Sequence, residues 1–365
     1  MENPKRSNQN EISCKQCGGK LTFSAGEEKL KCNSCGTINE IAVDRAAQYD
    51  AIQEIDFHAF LRNAGSTAVQ TQVMTVNCTG CGASTTFDPN IISDHCEFCG
   101  SPLAVKEGHK INMISPKALL PFKVEIGVGR QKFSSWIKGL WFAPSKLKYY
   151  ANHSDKLSGI YTPYWTFDAD TYTRYTGERG DDYQQEYQTT ENGKSVTKTR
   201  TETRWSRASG DVSRFFNDVL VPASKTLPVH IMKKLRTWDL QNLVPYDLKY
   251  MSGFKSETYQ LPLEEAYKEA QSIMKDVIED DVRDDIGGDR QRINSMDTRY
   301  KDITFKHILL PMYLSAYKYN DKVYRFMING RTGEVQGERP YSAIKIALAI
   351  IVGLAILGTL YMLSQ

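Results

Sequence analysis

Beyond Cys99 this 365-residue chain has no cysteine, and it carries no large excess of charge of either sign. The first absence excludes a disulfide framework spread along the chain. The second, a formal net charge of +3, names no acidic or basic partner. A secretory leader is also missing: MENPKRSNQNEIS has no apolar core, so reduced thiols in the cytoplasm are expected. Catalytic signatures are absent too. Gly193-Lys194-Ser195 lacks the glycine at 188 that a phosphate loop needs, and Lys132 stands where a dinucleotide fingerprint would place its third glycine. There is no G-x-S-x-G and no H-E-x-x-H, and the six histidines are scattered. No enzyme is expected. A carboxylate pair, which leaves no readable motif, is the one enzymatic reading still open.

What the chain does contain is concentrated at its two ends. All eight cysteines fall in Cys-x-x-Cys pairs: Cys14/Cys17, Cys32/Cys35, Cys78/Cys81 and Cys96/Cys99. Each of the first four lies 64 residues before its counterpart, and Gly18/Gly82, Gly36/Gly100 and Phe23/Phe87 keep the same register. This is an internal duplication. Tetrahedral zinc takes four thiolates at about 2.3 Å, and two residues between cysteines let one tight turn supply two ligands. A glycine after the second cysteine suits a left-handed backbone position. So short a hairpin has almost no core, and metal binding supplies most of its folding energy. Two structural four-cysteine Zn2+ sites are expected, with iron left open in the same cage. A thioredoxin-like redox pair takes one such motif beside a βαβ unit and is rejected.

Many ribbons of this kind bind nucleic acid through Lys and Arg on phosphates. Residues 1–110 hold 10 Lys and Arg against 13 Asp and Glu, and each zinc with four thiolates adds a formal −2. That is the wrong sign, and nucleic acid is not the expected partner.

At the far end, IALAIIVGLAILGTLYML (346–363) has no charge and no proline. Its 18 residues reach about 27 Å as a helix, close to a bilayer core. Lys345 and Tyr341 suit the interface, Lys345 by snorkelling. Arg331, Arg339 and Lys345 precede the span and no base follows it, so a single pass with the N-terminal part in the cytoplasm is expected, at the cell (inner) membrane.

The expected order is zinc ribbon 1 (1–43), a helical linker (44–72), zinc ribbon 2 (73–108), an α+β cytoplasmic domain (109–341) and a transmembrane helix (342–363). The class is α+β, mainly antiparallel. Within the linker, residues 44–64 space Ala47, Ile52, Ile55, Ala59 and Phe60 as an amphipathic helix. Further on, helical spacing covers 129–139 and Leu263 to about Asp285, the latter stopped by Gly287-Gly288. Tyr161–Tyr175 and Tyr183–Trp205 read as strands with a hairpin at Asn192-Gly193. Two more hairpins turn at Asn320-Asp321 and Asn329–Thr332. Lys198, Arg200 and Arg204 share a strand face, either a basic stripe for anionic lipid or a solvated face. The cysteine-free domain is expected to keep its own core when metal is removed.

Two Cys-x-x-Cys-Gly ribbons, LLPF (119–122), GIYTPYWTFDA (159–169), INGRTGEVQGERP (328–340) and the terminal span together resemble the bacterial YdjG-like proteins. The resemblance implies a membrane anchor associated with phage-shock protein A and its partners in envelope-stress operons. Ribbons of this family are likened to that of transcription factor IIB, and its members often bear the label primosomal helicase, which the missing phosphate loop opposes. The expected function is a membrane-anchored zinc-ribbon adaptor that docks cytoplasmic proteins at the inner face of the membrane, in the envelope stress response. The competing reading is a membrane-tethered nucleic-acid-binding or transcription-regulating protein.

Overall fold

The computed structural model describes residues 12–41, 52–63, 70–79, 82–86, 93–96, 98, 101–104, 109–145, 157–191, 194–235, 237–319 and 322–363. The architecture is mixed α+β. Strands β1 (Leu21–Ser24), β2 (Lys29–Cys32) and β3 (Ile38–Asn39) form a small antiparallel sheet around the first cysteines. Strand β4 (Ile55–Asp56) and helix α1 (Phe57–Arg62) follow. Around the second cysteines, β5 (Gln70–Asn77) pairs with β6 (Ser84–Thr86) and β9 (His109–Ile114), and β7 (Ser93–His95) pairs with β8 (Pro102–Ala104).

One sheet joins the rest. Its strands are β10 (Ala118–Leu119), β11 (Ser158–Glu191), β12 (Lys194–Pro222), β13 (Val244–Pro245), β14 (Lys255–Ser256), β15 (Arg290–Tyr319), β16 (Lys322–Asn329) and β17 (Val335–Gly337), with β4 paired to β15. Helices α2 (Ile126–Gly139), α3 (Leu263–Ile286) and α4 (Ala343–Leu363) complete the described elements that exceed a single turn. Among the described strands, only β10 with β15 and β14 with β11 run parallel.

The order β12-β11-β15 makes a long arm. The 34 residues of β11 would span roughly 110 Å fully extended, at about 3.3 Å each. Composition changes along that strand and burial changes with it. Ile160 to Ala169 are buried on both faces, mostly apolar and aromatic residues, with Thr162, Thr166 and Asp168 buried among them. From Asp170 to Gly177 burial alternates, with Thr171, Thr173 and Tyr175 inward and Tyr172 and Arg174 outward. Beyond Asp181 the residues are mostly exposed. β15 begins at Arg290 opposite Gly180, so 181–191 and 194–204 pair only with each other. The turn at 192–193 lies outside the described residues, and Glu191 faces Lys194 across it.

Helix α3 covers the alternating stretch. Leu263, Ala266, Ala270, Met274, Ile278, Val282 and Ile286 recur every three or four residues and are all buried. Gly287 (φ 66°) and Gly288 (φ 77°) end it, and a Cβ on Gly288 would meet the Gly180 carbonyl oxygen at 2.9 Å. The sequence places this helix and its stop correctly, as it does α2.

The linker differs from its expectation. In its described part the helix is only Phe57–Arg62, capped by Asp56, whose carboxylate accepts the Ala59 N–H at 2.5 Å. Ile55 is a strand residue opposite Phe305, because the edge of β15 offers ladder hydrogen bonds that outweigh helical periodicity. The predicted helical residues 44–51 and 64 lie outside the described residues.

The cysteine segments and the body share their cores. Cys14, Leu21, Phe23, Leu30 and Cys32 pack with Leu119, Phe122, Phe133 and Tyr161. Val76, Cys78, Cys96 and Phe98 pack with Ile160, Tyr164, Leu227 and Ile308. Of the three cores, the one beneath α3 holds no cysteine. The expectation of a wholly separate body core therefore gives way to one independent core and two shared ones.

Candidate metal centres

Around the first site, Cys14, Cys17, Cys32 and Cys35 place their sulfurs within 4.8 Å of one another. Cys14 and Cys35 are 3.7 Å apart and Cys17 and Cys32 are 3.5 Å apart. Metal–sulfur bonds of about 2.3 Å at tetrahedral angles put sulfurs about 3.8 Å apart, so the donor set fits such an ion. Two matching turns aim the thiols. The Cys14 N–H donates to the Gly19 carbonyl at 2.8 Å and the Gly18 N–H to the Cys14 carbonyl at 2.9 Å. The Cys32 N–H donates to the Thr37 carbonyl at 2.9 Å and the Gly36 N–H to the Cys32 carbonyl at 3.0 Å. Gly18 (φ 71°) and Gly36 (φ 74°) occupy the left-handed positions foreseen for them.

Thiols this close share protons unevenly. The Thr37 hydroxyl and backbone hold Cys35 down to about 6. Cys17 is pushed up to about 12 because proton sharing with Cys35 and Cys32 outweighs the lowering Gly19 backbone contact. A divalent cation removes that conflict by favouring four thiolates at once.

The second site repeats the frame. The Cys78 N–H donates to the Ala83 carbonyl at 2.8 Å, the Gly82 N–H to the Cys78 carbonyl at 2.8 Å, and the Cys96 N–H to the Ser101 carbonyl at 2.8 Å. Gly82 has φ 76°, and Cys78 and Cys96 are buried. Cys81, Cys99 and Phe87 lie outside the described residues, so one four-cysteine cluster is described and only Cys78 and Cys96 of the second set are.

One stretch of the body, 252–260, grips both segments. The Ser252 carbonyl accepts the Phe23 N–H at 2.8 Å, and its hydroxyl donates to the Leu21 carbonyl at 2.6 Å. Eight residues on, the Gln260 side chain donates to the Gly82 carbonyl at 3.0 Å and the Thr258 N–H to the Ser84 carbonyl at 3.0 Å. Between them Glu257 is buried, which pushes its carboxyl up to about 7 despite donors from Thr226 and Ser224. No local pattern in the sequence foretells this clamp.

A second group of carboxylates also escapes sequence reading. Glu54, Asp168 and Asp218 converge where β11, β12 and β15 all shift register. Lys306 lies among them, 2.7 Å from Glu54 and 2.8 Å from Asp218. Burial and then the Glu54 contact push Asp168 up to about 7. Lys306 bridges Glu54 and Asp218, and the cluster fastens the 54–62 segment to the sheet.

The basic stripe resolves into pairs. Lys198, Arg200 and Arg204 do share a face, but Lys198 pairs with Glu191 and Arg200 with Glu202 at 2.6 Å. Arg204 lies 5.3 Å over the Tyr183 ring and Arg200 5.4 Å over Tyr187. Acidic residues of α3 also meet arginines: Arg283 contacts Glu279 and Asp280, and Arg214 contacts Asp281.

Helix α4 is 21 residues long, wholly unburied, and apolar enough to cross a membrane. Comparison with curated proteins finds a match to the uncharacterized protein YdjG of Bacillus subtilis (strain 168), 23% identical over 345 residues, covering 92% of this chain and 91% of YdjG. That extent supports a YdjG-like protein. No family model matches the chain, and no solved structure matches it.

Proposed function

We propose that this chain is a membrane-anchored adaptor that holds two structural zinc ions and docks cytoplasmic proteins at the inner face of the cell membrane. The observation that carries this reading is the tip of the arm. Residues 183–202 bond among themselves, Tyr183 to Glu202, Gln184 to Thr201 and Arg200 to Gln185. A two-stranded ribbon that covers no core gains little from its own ordering, and it becomes worthwhile when it meets a second surface. With α4 as the anchor at one end, the arm is a reach. The resemblance to YdjG-like proteins points to a phage-shock protein A-like partner and to envelope stress.

The ribbons serve this scaffold from within. Their apolar faces are spent on the body, so they set its shape and leave docking to the arm. The pairing of Lys198 and Arg200 with neighbouring carboxylates weighs against nucleic acid, which needs Lys and Arg free for phosphates along its path.

Affinity capture from solubilised membranes tests the proposal. The full chain should recover a partner that is lost when Tyr183–Glu202 is replaced by an Asn-Gly turn. Equal recovery by both forms would remove the arm from the docking surface. Binding to duplex DNA that weakens steeply with salt would favour the nucleic-acid reading instead.

A further inference from the structure

Next to the base of α4, the loop after α2 presents a pair of exposed aromatic side chains. Trp141 is 80% exposed and Phe142 42% exposed, while their neighbours Leu140 and Ala143 are buried in a shared core. The loop is therefore pinned at both sides with its two rings turned outward. It is also bonded to α4. The Ser342 N–H donates to the Phe142 carbonyl at 2.8 Å. The Lys345 ammonium donates to the carbonyls of Ala143 at 2.8 Å and Trp141 at 3.3 Å. Tyr341, itself exposed, stands at the same level with Arg339 5.3 Å over its ring.

We propose that Trp141 and Phe142 are a second membrane contact, a wedge that enters the headgroup layer of a phospholipid bilayer beside α4. This rests on the reading of α4 as a membrane span. Lys345 is the last charge before the uncharged run 346–363, so a loop bonded to it lies where that run enters hydrocarbon. That boundary is where Trp is favoured, with its ring in the apolar layer and its N–H in water. Lys345 is held by two loop carbonyls rather than snorkelling freely to water, so anchor and wedge form one unit. Exposed Lys138 and Arg339 add cations for anionic headgroups. One helix alone lets the body swing about its base; two points of contact fix the direction in which the arm projects.

Tryptophan quenching in vesicles decides the matter. The full chain is reconstituted into phosphatidylcholine–phosphatidylglycerol vesicles in which part of the lipid is brominated, either just below the headgroup or deep in the acyl chain. The chain has five tryptophans, so Trp141→Phe identifies the one that matters. The shallow label should quench the wild-type emission more than the deep label, and Trp141→Phe should lose most of that quenching. Its melting temperature should match the wild type, since the side chain is exposed. If the vesicle-bound chain resists alkaline carbonate and yet Trp141→Phe is quenched like the wild type, the wedge is refuted and the span stands. If carbonate strips the chain from the vesicles, the span itself is refuted and the wedge with it.

Discussion

Arg331 reaches Glu28 at 3.1 Å across 303 residues of chain. Its side chain is 5% exposed and also binds Asp239 through two nitrogens, at 2.6 and 3.0 Å, and the Pro121 carbonyl at 3.1 Å. One guanidinium thereby ties the first cysteine hairpin to the turn after β16. Glu28 has φ 52°, a left-handed position in the β1–β2 turn. Arg331→Ala empties a buried site and leaves the half-buried Asp239 without its cation, and should cost about 3 kcal/mol. Glu28→Gln, on the exposed side of the same guanidinium, should cost less than about 1 kcal/mol. Denaturant melts of the two variants check the order; equal losses would mean that the hairpin contact dominates.

Metal removal should reach beyond the cysteine segments. Two zinc ions per chain are expected by metal analysis, and Cys14→Ser with Cys32→Ser should leave one. Because Phe23 packs on Tyr250 at 5.5 Å and Phe122 lies in the same core, chelation should loosen the body around Tyr161 and Tyr164. The core beneath α3 shares no cysteine and should survive. Amide hydrogen exchange gives the readout: protection lost near 119–122 and 308–312 but retained at 270–282. Protection lost everywhere would make the third core dependent on the ribbons as well.

Glu257 gives the fold a pH slope of definite sign. Its carboxyl is ordinary near 4.5 when unfolded and about 7 when folded, because burial penalises the charge. The folded state then binds the proton more tightly, so the stabilisation is complete below about 4.5 and is lost as pH rises through about 7. Glu257→Gln keeps an oxygen for the Ser224 hydroxyl, which donates to it at 2.8 Å. That variant should reduce the slope across this window, leaving the part that Asp168 contributes, and gain up to about 3 kcal/mol above it. Melting temperature against pH checks this, and an unchanged slope would place the titration elsewhere.

Those residues also mark the limit of legibility. Helix α3 was readable because Leu263 to Ile286 carries its own period and Gly287-Gly288 its own stop. The cysteine frames were readable because metal chemistry fixes their spacing, and α4 because a bilayer fixes its length. Glu54 with Lys306, Arg331 with Glu28, and Ser252 with Leu21 carry no such local mark. Each pair is joined by topology, through strands that hold distant residues in register. The full extent of β15 was hidden for a related reason. Its residues 290–303 are polar and alternate only weakly, and they form a strand because β11 beside them is one.

Burial under α3 should dominate the stability of the arm. Ile278 is 1% exposed at the centre of that helix, and its neighbours Met274 and Val282 are fully buried. Ile278→Ala leaves a cavity that strands on one side and helix on the other cannot close, at a cost of about 3 kcal/mol. Thermal unfolding checks the figure, and a loss below about 1 kcal/mol would mean that the helix collapses onto the sheet.

Shortening the tip should separate fold from function. Asp182 faces Thr203 in the register of the hairpin, so joining them by Asn-Gly in place of 183–202 preserves the strand twist. What is lost is one exposed pair at Arg200 and Glu202, another at Lys198 and Glu191, and two Arg–Tyr contacts. Exposed pairs contribute about 0–1 kcal/mol each, and none of these residues lies in the three cores. The shortened chain should melt within a few degrees of the full one and still fractionate with membranes. Native-like melting with loss of partner capture assigns the tip to docking. A large fall in melting temperature would assign it to the fold, because only a tip that packs on the rest of the molecule can be missed by it.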